Sequence, residues 1–328
     1  MNINIYGSTG VIGRKTLELI DVNFPNIKIN LLCAKSNLKL LKKQIYKYNP
    51  KYAFLYDIDK FKIPKFKIGN TKILNYDELI SYLSSSKSNL SILAISGYKS
   101  LFFLDKIIKN TDNLGLANKE AIVSAGHIFK NKKYFKLTNI FPLDSEHFSL
   151  FDFFNKSNKK ILFSKIILTA SGGPFLNKKY KSLKNITFTE AIRHPKWKMG
   201  YKNSIDSATL VNKCLELIEA HYLFDLPYEK LDIVIHPESQ IHSIFEYNNF
   251  IYNMVAFQND MLIPIYSFLN QKFNRNLNEN KFVISNNQSL NFSNVKNHEF
   301  PIYKFFKNLN KSNPSNIINF NIGNEYAV

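Results

Sequence analysis

A glycine-punctuated turn, Gly7-Ser8-Thr9-Gly10-Val11-Ile12-Gly13, lies between the first apolar run and the first helix-like run. It constrains this chain more than any other feature. Gly7 and Gly10 permit a tight turn and close approach of a pyrophosphate, and Gly13 permits close packing of helix on strand. The helix that follows offers unpaired N–H groups to an anion. The spacing is G-x-x-G-x-x-G rather than the commoner G-x-G-x-x-G, and a plain glycine turn would look alike. Its weight comes from standing between a strand and a helix. Apolar runs at 3–6, 27–34, 52–56, 90–96 and, more briefly, 114–117 alternate with helical spacing at 12–22, 38–48 and 101–109. That alternation predicts βαβ units, a parallel sheet and an α/β fold.

The end of the second strand bears on which dinucleotide such a turn would hold. A NAD site usually carries Asp or Glu about 20 residues past the glycines, on the ribose hydroxyls. Here the stretch is Ala34-Lys35-Ser36-Asn37, without a carboxylate. A lysine and a hydroxyl suit a 2′-phosphate, so NADP(H) is the expected cofactor. Lys35 as one more surface lysine is the alternative.

From about Pro142 the texture changes. Asp144 and Glu146, read as an extended segment, share a face, and two carboxylates so placed repel unless a cation lies between them. A hard ion, Mg²⁺ or Mn²⁺, satisfies that requirement; two solvated acids are the bland reading. A strand at 165–170 leads into Ser171-Gly172-Gly173, a turn whose backbone and hydroxyl suit a phosphate. A basic loop at 193–201 holds the chain's one tryptophan, Trp197, and reads as a lid. A helix is predicted over 207–224. On it Asn212 and Glu216 are i,i+4 and Lys213 and Glu216 are i,i+3, so the three share a face, as an ordinary surface ion pair also would. Glu219 reads as structural. Strands at 233–235, 241–247 and 250–257, with Asn248-Asn249 as a hairpin turn, predict an α+β second domain.

Composition closes off other classes. No run approaches a membrane span, and the start, Met1-Asn2-Ile3-Asn4-Ile5-Tyr6, lacks the pattern of a signal peptide. Cys33 and Cys214 match no metal spacing and no disulfide framework, so a reducing, cytoplasmic setting is expected. Lys+Arg 44 against Asp+Glu 25 gives a net charge of +19, yet only Arg14, Arg193 and Arg275 are arginine. Nucleic-acid sites favour arginine's fork. The lysines are spread along the chain, so we read a solvated basic surface with no nucleic-acid and no membrane partner.

Seven strings, taken together, resemble the 1-deoxy-D-xylulose 5-phosphate reductoisomerase family. They are GSTGVIG (7–13), LANKEAIVSAG (116–126), PLDSEHFSLF (142–151), TASGGPF (169–175), HPKWKMG (194–200), DSATLVNKCLELIEAHYLF (206–224) and HPESQIHSIFEY (236–247). They stand in the family's order within residues 1 to about 265. The resemblance implies a Rossmann-like NADPH-binding domain over 1–141. An α+β catalytic and dimerisation domain with a flap at 193–201 would span 142–270. A poorly matched tail, 271–328, would end where a helical C-terminal region opens.

What the resemblance implies for single residues can be stated by position. The metal ligands would be Asp144, Glu146 and Glu216, with Mg²⁺ or Mn²⁺ as the ion. Ser145, Lys119, Ser171, His194, Ser207, Asn212, Lys213 and Glu216 would contact a phosphorylated small-molecule substrate. Lys119, Glu146, His194 and Trp197 would be catalytic, the last two as part of the flap. Gly7, Ser8, Thr9, Gly10, Val11, Ile12, Lys35, Ser36, Asn37, Asn118, Glu120, Gly200 and Met261 would contact NADPH. His236 and His242 match family positions and are assigned structural roles. The implied reaction is rearrangement and NADPH reduction of 1-deoxy-D-xylulose 5-phosphate to 2-C-methyl-D-erythritol 4-phosphate in a homodimer joined through the 233–257 strands. Two departures are Gln258-Asn259-Asp260-Met261, where the family has Pro-Asp-Met, and a chain that stops short of the family's helical C-terminal region. A different NADP oxidoreductase on this scaffold would not need all three acids. A non-catalytic member would let the metal and phosphate positions decay.

Overall fold

The computed structural model describes residues 1–58, 67–131, 134–157, 163–178, 180–194, 196, 200–247, 250–273 and 289–328. They fall into two units, and the units are not the two continuous stretches expected. The first comprises 1–121, 128–144 and 261–277; the second comprises 122–127, 145–260 and 278–328. A piece of one helix crosses over, and residues just after 260 return to the first unit.

The first unit is built on an eight-stranded sheet. Its strands are β1 (Asn2–Tyr6), β2 (Lys28–Ala34), β3 (Tyr52–Leu55), β4 (Lys67–Ile68), β5 (Thr71–Leu74), β6 (Ser88–Leu93), β7 (Thr111–Leu116) and β8 (Asn139–Pro142). The order across the sheet is β4-β5-β3-β2-β1-β6-β7-β8, parallel throughout except for the β4–β5 pair. Helices α1 (Val11–Asn23), α2 (Leu38–Tyr48), α3 (Tyr76–Ser85), α4 (Leu101–Lys109) and α5 (Lys119–Asn131) connect the strands. The central strands are buried on both faces, which is why β1 and β2 read as nearly continuous apolar runs rather than as alternation. The chain leaves β1 toward one edge and returns beside β1 as β6. The strand order thus reverses between β1 and β6, where α/β sheets place their ligands.

The second unit carries a five-stranded mixed sheet ordered β12-β11-β9-β10-β13. Its strands are β9 (Lys165–Ala170), β10 (Leu231–Ile235), β11 (Ile241–Tyr247), β12 (Ile251–Ala256) and β13 (Ser293–Asn294). Against it lie α6 (Ser145–Lys156), α7 (Phe188–Ala191), α8 (Tyr201–Ala208) and α9 (Val211–Phe224). The core includes Phe153 stacked on Phe245 at 3.8 Å. α10 (Leu262–Asn270) belongs to the first unit, where Tyr266 meets Phe24 of the α1 exit at 5.2 Å. The tail is not featureless: α11 (Pro301–Asn308) and α12 (Pro314–Ala327) pack Phe306 against Phe320 at 5.4 Å. The hairpin turn expected at Asn248-Asn249 lies outside the described residues, though β11 and β12 pair antiparallel on either side of it.

Candidate active site

The glycine turn is held by backbone alone. Gly7 and Ser8 both donate their N–H groups to the Cys33 carbonyl, at 2.9 and 2.8 Å. Gly7 sits at φ +94, and a Cβ there would lie 2.4 Å from the Ala94 carbonyl oxygen at the end of β6. Gly13 is closed in the same way, its would-be Cβ 2.4 Å from the Gly7 oxygen. Gly10, by contrast, has an ordinary φ of −74 and caps α1 without a side-chain acceptor. The first turn of α1 carries no acid, which leaves the helix dipole uncompensated toward an anion.

Several residues expected at the cofactor use their side chains inside the protein instead. The Ser8 hydroxyl, fully buried, donates to Gln44 at 2.9 Å. Asn37 caps α2 by accepting from Leu40 N–H. Asn118 caps α5 through Ala121 N–H at 2.7 Å, and its amide nitrogen donates to the Ile95 and Gly97 carbonyls and to Glu120. These three side chains are thus tied to the protein around them, which leaves their backbone groups for a cofactor. Lys35 and Ser36 are exposed at the end of β2. Gly200 begins α8 with open space around its Cα, and Met261 precedes α10.

The acids are brought together by a helix that the sequence reading placed as extended chain. Ser145 opens α6, so Asp144 precedes the helix and Glu146 lies in its first turn. The face-sharing inferred from period-two geometry is therefore wrong in cause. The predicted helix over 207–224 also breaks. α8 ends at Ala208, Leu210 takes φ +68, and α9 starts afresh at Val211. Leucine rarely adopts this left-handed region; burial of Leu210 to 1% exposure holds it there. The break puts Ser207 at the end of one helix and Asn212 and Lys213 at the open start of the next.

On α9 the predicted spacings become contacts. Lys213 Nζ lies 2.7 Å from Glu216 Oε2, and Asn212 Nδ2 donates to Glu216 Oε1 at 2.5 Å. Lys213 also reaches Glu146 Oε1 at 2.7 Å, while the Ser145 hydroxyl donates to Glu146 Oε2 at 2.6 Å. One oxygen each of Asp144, Glu146 and Glu216 lies within 4.8 Å of the others, and Glu216 is fully buried. Asp144 is paired with Lys119. An all-oxygen donor set of three carboxylates fits a hard divalent cation.

Within the second unit further polar groups meet. His194 Nε2 meets the Ser171 hydroxyl at 3.0 Å. Gly173, at φ +70, presses so close to the end of α8 that a Cβ would lie 2.6 Å from the Ser207 carbonyl oxygen. Burial, reinforced by the Lys213 charge, lowers the His194 pKa to about 4, so its ring is neutral at neutral pH. Trp197, at the centre of the expected flap, lies outside the described residues. The sequence reading missed the pair behind the acids: buried His147 donates its Nε2–H to the Glu216 carbonyl (2.9 Å) and faces Glu219 at 3.6 Å. The cue was available as a histidine beside Glu146 and a second acid one turn past Glu216. His242 stacks on Phe257 at 3.8 Å, with Nδ1 3.9 Å from Glu146, and His236 stacks on Phe292 at 4.6 Å.

The chain matches the family model of 1-deoxy-D-xylulose 5-phosphate reductoisomerase over residues 3–126. It matches the model of that enzyme's C-terminal domain over 140–224. The 1-deoxy-D-xylulose 5-phosphate reductoisomerase of Pelagibacter ubique is 38% identical over 313 residues, 94% of this chain and 80% of the relative. That of Thermodesulfovibrio yellowstonii is 42% identical over 263 residues, 80% and 68% of the two chains. A crystal structure of DOX-P reductoisomerase in complex with NADPH, fosmidomycin and magnesium is similar with a TM-score of 0.90 at 30% identity, covering 100% of this chain and 83% of that one. The enzyme from Zymomonas mobilis in complex with NADPH gives 0.81 at 30% identity, over 96% and 82%. This chain belongs to the 1-deoxy-D-xylulose 5-phosphate reductoisomerase family.

Proposed function

We propose that this chain rearranges and reduces 1-deoxy-D-xylulose 5-phosphate to 2-C-methyl-D-erythritol 4-phosphate, using NADPH and a divalent metal. The observation that carries the reading is the cluster of Asp144, Glu146 and Glu216 beside the uncapped start of α9. Asp144, Glu146 and Glu216 would hold Mg²⁺ or Mn²⁺. Bound there, the ion supplies Lewis-acid polarisation of the substrate's carbonyl and neighbouring hydroxyl oxygens. NADPH supplies hydride.

The chain's own residues do the rest. Ser171, Ser207, Asn212 and Lys213 grip the phosphate, a handle remote from the reacting carbons whose binding energy orients them. The α9 start adds N–H groups, for Leu210 gives it no side-chain cap. Neutral His194 serves as a hydrogen-bond partner rather than as a cation. Ser145, held on Glu146, is placed to exchange that bond for a substrate hydroxyl. Lys119 holds Asp144 in an ion pair. The 193–201 segment, with Trp197, acts as the flap that excludes water. Gly7, Thr9, Gly10, Val11 and Ile12 offer backbone to the NADPH pyrophosphate, and Lys35 and Ser36 take the ribose phosphate.

The test is NADPH oxidation by the purified chain with substrate and Mg²⁺ or Mn²⁺, beside Glu216→Gln. Metal-dependent turnover that falls about 10³-fold in the variant is expected. Equal turnover in the variant, or turnover indifferent to metal, would overturn the assignment of the acids.

We also propose a cytoplasmic homodimer. Both cysteines are free and buried, and the edge strand β12 exposes Ile251, Tyr252 and Met254 at about half their surface, next to Phe250 at 85%. An exposed apolar edge strand calls for a partner. Ile251→Lys should convert the dimer to monomer in sedimentation; a wild-type monomer at micromolar concentration would remove the proposal.

A further inference from the structure

The corner of the first unit beyond Lys35 and Ser36 carries two side chains that the reading above leaves without a role. β2 and β3 run side by side to their ends, where Tyr56 N–H donates to the Ala34 carbonyl at 2.9 Å and Asp57 N–H to the Lys35 carbonyl at 2.8 Å. Tyr56 therefore stands beside Lys35 at the carboxyl edge of the sheet, with its ring 39% exposed. From the far side of the strand-order reversal, Lys99 follows Gly97 after β6 and lays its ammonium 5.0 Å from the centre of the Tyr56 ring. Lys99 is half-buried.

The chemistry of this corner is specific. An exposed aromatic face beside the end of β2 offers a stacking platform for a base. Lys99, reaching across from the end of β6, sets positive charge on that platform, and Lys35 is exposed on the neighbouring strand end. A ligand that stacks a purine there and carries an extra phosphate on the adjoining ribose satisfies both. A ribose bearing free hydroxyls would instead call for an acceptor. Asp57 is the acid nearest along the chain, and it lies one strand beyond the end of β2, where such an acceptor stands.

We propose that Lys99 and Tyr56 are specificity-determining residues for the phosphorylated cofactor: Tyr56 stacks the adenine, and Lys99, with Lys35, holds the 2′-phosphate. The proposal rests on the NADPH reading above. Lys99 gives up its place over the Tyr56 ring when the adenine enters, exchanging a cation–π contact at an exposed site for a charge-assisted bond to phosphate. Discrimination then comes from the phosphate side chains, and general adenosine affinity from the ring.

The test uses fragments that need no turnover. Binding of 2′,5′-ADP and of 5′-AMP is measured by calorimetry on the full chain, for wild type, Lys99→Met, Tyr56→Leu and Tyr56→Phe, each first checked for wild-type circular dichroism. Lys99→Met should weaken 2′,5′-ADP about tenfold and leave 5′-AMP unchanged, the size of one lost charged hydrogen bond. Tyr56→Leu should weaken both about fivefold or more, and Tyr56→Phe neither. Unchanged 2′,5′-ADP binding in Lys99→Met overturns the role of Lys99 while the cofactor reading stands. A wild type that binds 5′-AMP as tightly as 2′,5′-ADP overturns the phosphate preference and points to Asp57 on ribose hydroxyls. A wild type that binds neither fragment nor NADPH overturns the cofactor reading itself.

Discussion

The two ends of the chemistry are made of different material. The glycine turn after β1 presents backbone: its required residues, Gly7 and Gly13, are those where a Cβ would strike a carbonyl, and the Ser8 hydroxyl is buried on Gln44. The acid cluster presents side chains: Glu146, Glu216 and Lys213 are buried groups that meet only because α6 and α9 pack together. A backbone site tolerates any side chain that fits outside the turn. A side-chain site tolerates almost none, because each buried charge answers another. The first is therefore fragile to added volume and the second to lost charge.

Lys213→Met sharpens this contrast most. It leaves two buried carboxylates facing each other without their shared ammonium, and should cost about 3–5 kcal/mol of stability in metal-free protein, read from urea unfolding. A variant as stable as wild type would show that the cluster is solvated and the contrast false. Gly7→Ala comes next. Strain at φ +94 and the Ala94 clash should cost about 2 kcal/mol and abolish NADPH binding. Gly10→Ala, at a compatible φ with its nearest obstacle at 3.3 Å, should change stability by less than about 0.5 kcal/mol. Equal damage from both would mean that the turn is not limited by backbone approach.

A further effect is set by pH. The folded-state pKa of His194 is lowered to about 4, below the unfolded value near 6.5. Between those values the unfolded chain takes up a proton that the folded chain refuses, so stability falls as pH drops from about 6.5 to 4. Above that window His194 contributes no pH dependence. His194→Gln, compared with wild type in urea at pH 7 and pH 4.5 with chelator present, should lose less stability on acidification. An identical decline would place the ring in solvent-like surroundings.

Much of the first unit was legible because its strands are buried on both faces and announce themselves as apolar runs. β4 and β5, Lys67–Ile68 and Thr71–Leu74, are too short and too charged to do so. α6 was missed for the opposite reason. Its residues 145–150 are all buried, so there is no amphipathic stripe to count. The α8–α9 break was illegible because a left-handed leucine has no local signature; only the packed surroundings specify it. At the site, contacts within α9 followed from spacing, since i,i+3 and i,i+4 neighbours meet whatever surrounds them. Lys213–Glu146 and His147–Glu219 join different helices, and no spacing along the chain encodes such a meeting. Lys35 and Ser36 are proposed from the missing acid after β2, whereas Tyr56 and Lys99 depend on which strands are neighbours.

The ammonium of Lys213 between Glu146 and Glu216 acts as a resident counter-ion. Two carboxylates and one ammonium leave a single net negative charge among them, and Lys119 does the same service for Asp144. A carboxylate cage lacking such a cation would repel itself open whenever its metal departed, tying the fold to metal supply. With both lysines in place the acids are countered without a bound ion, so metal removal is expected to stop turnover while leaving the urea unfolding midpoint unchanged.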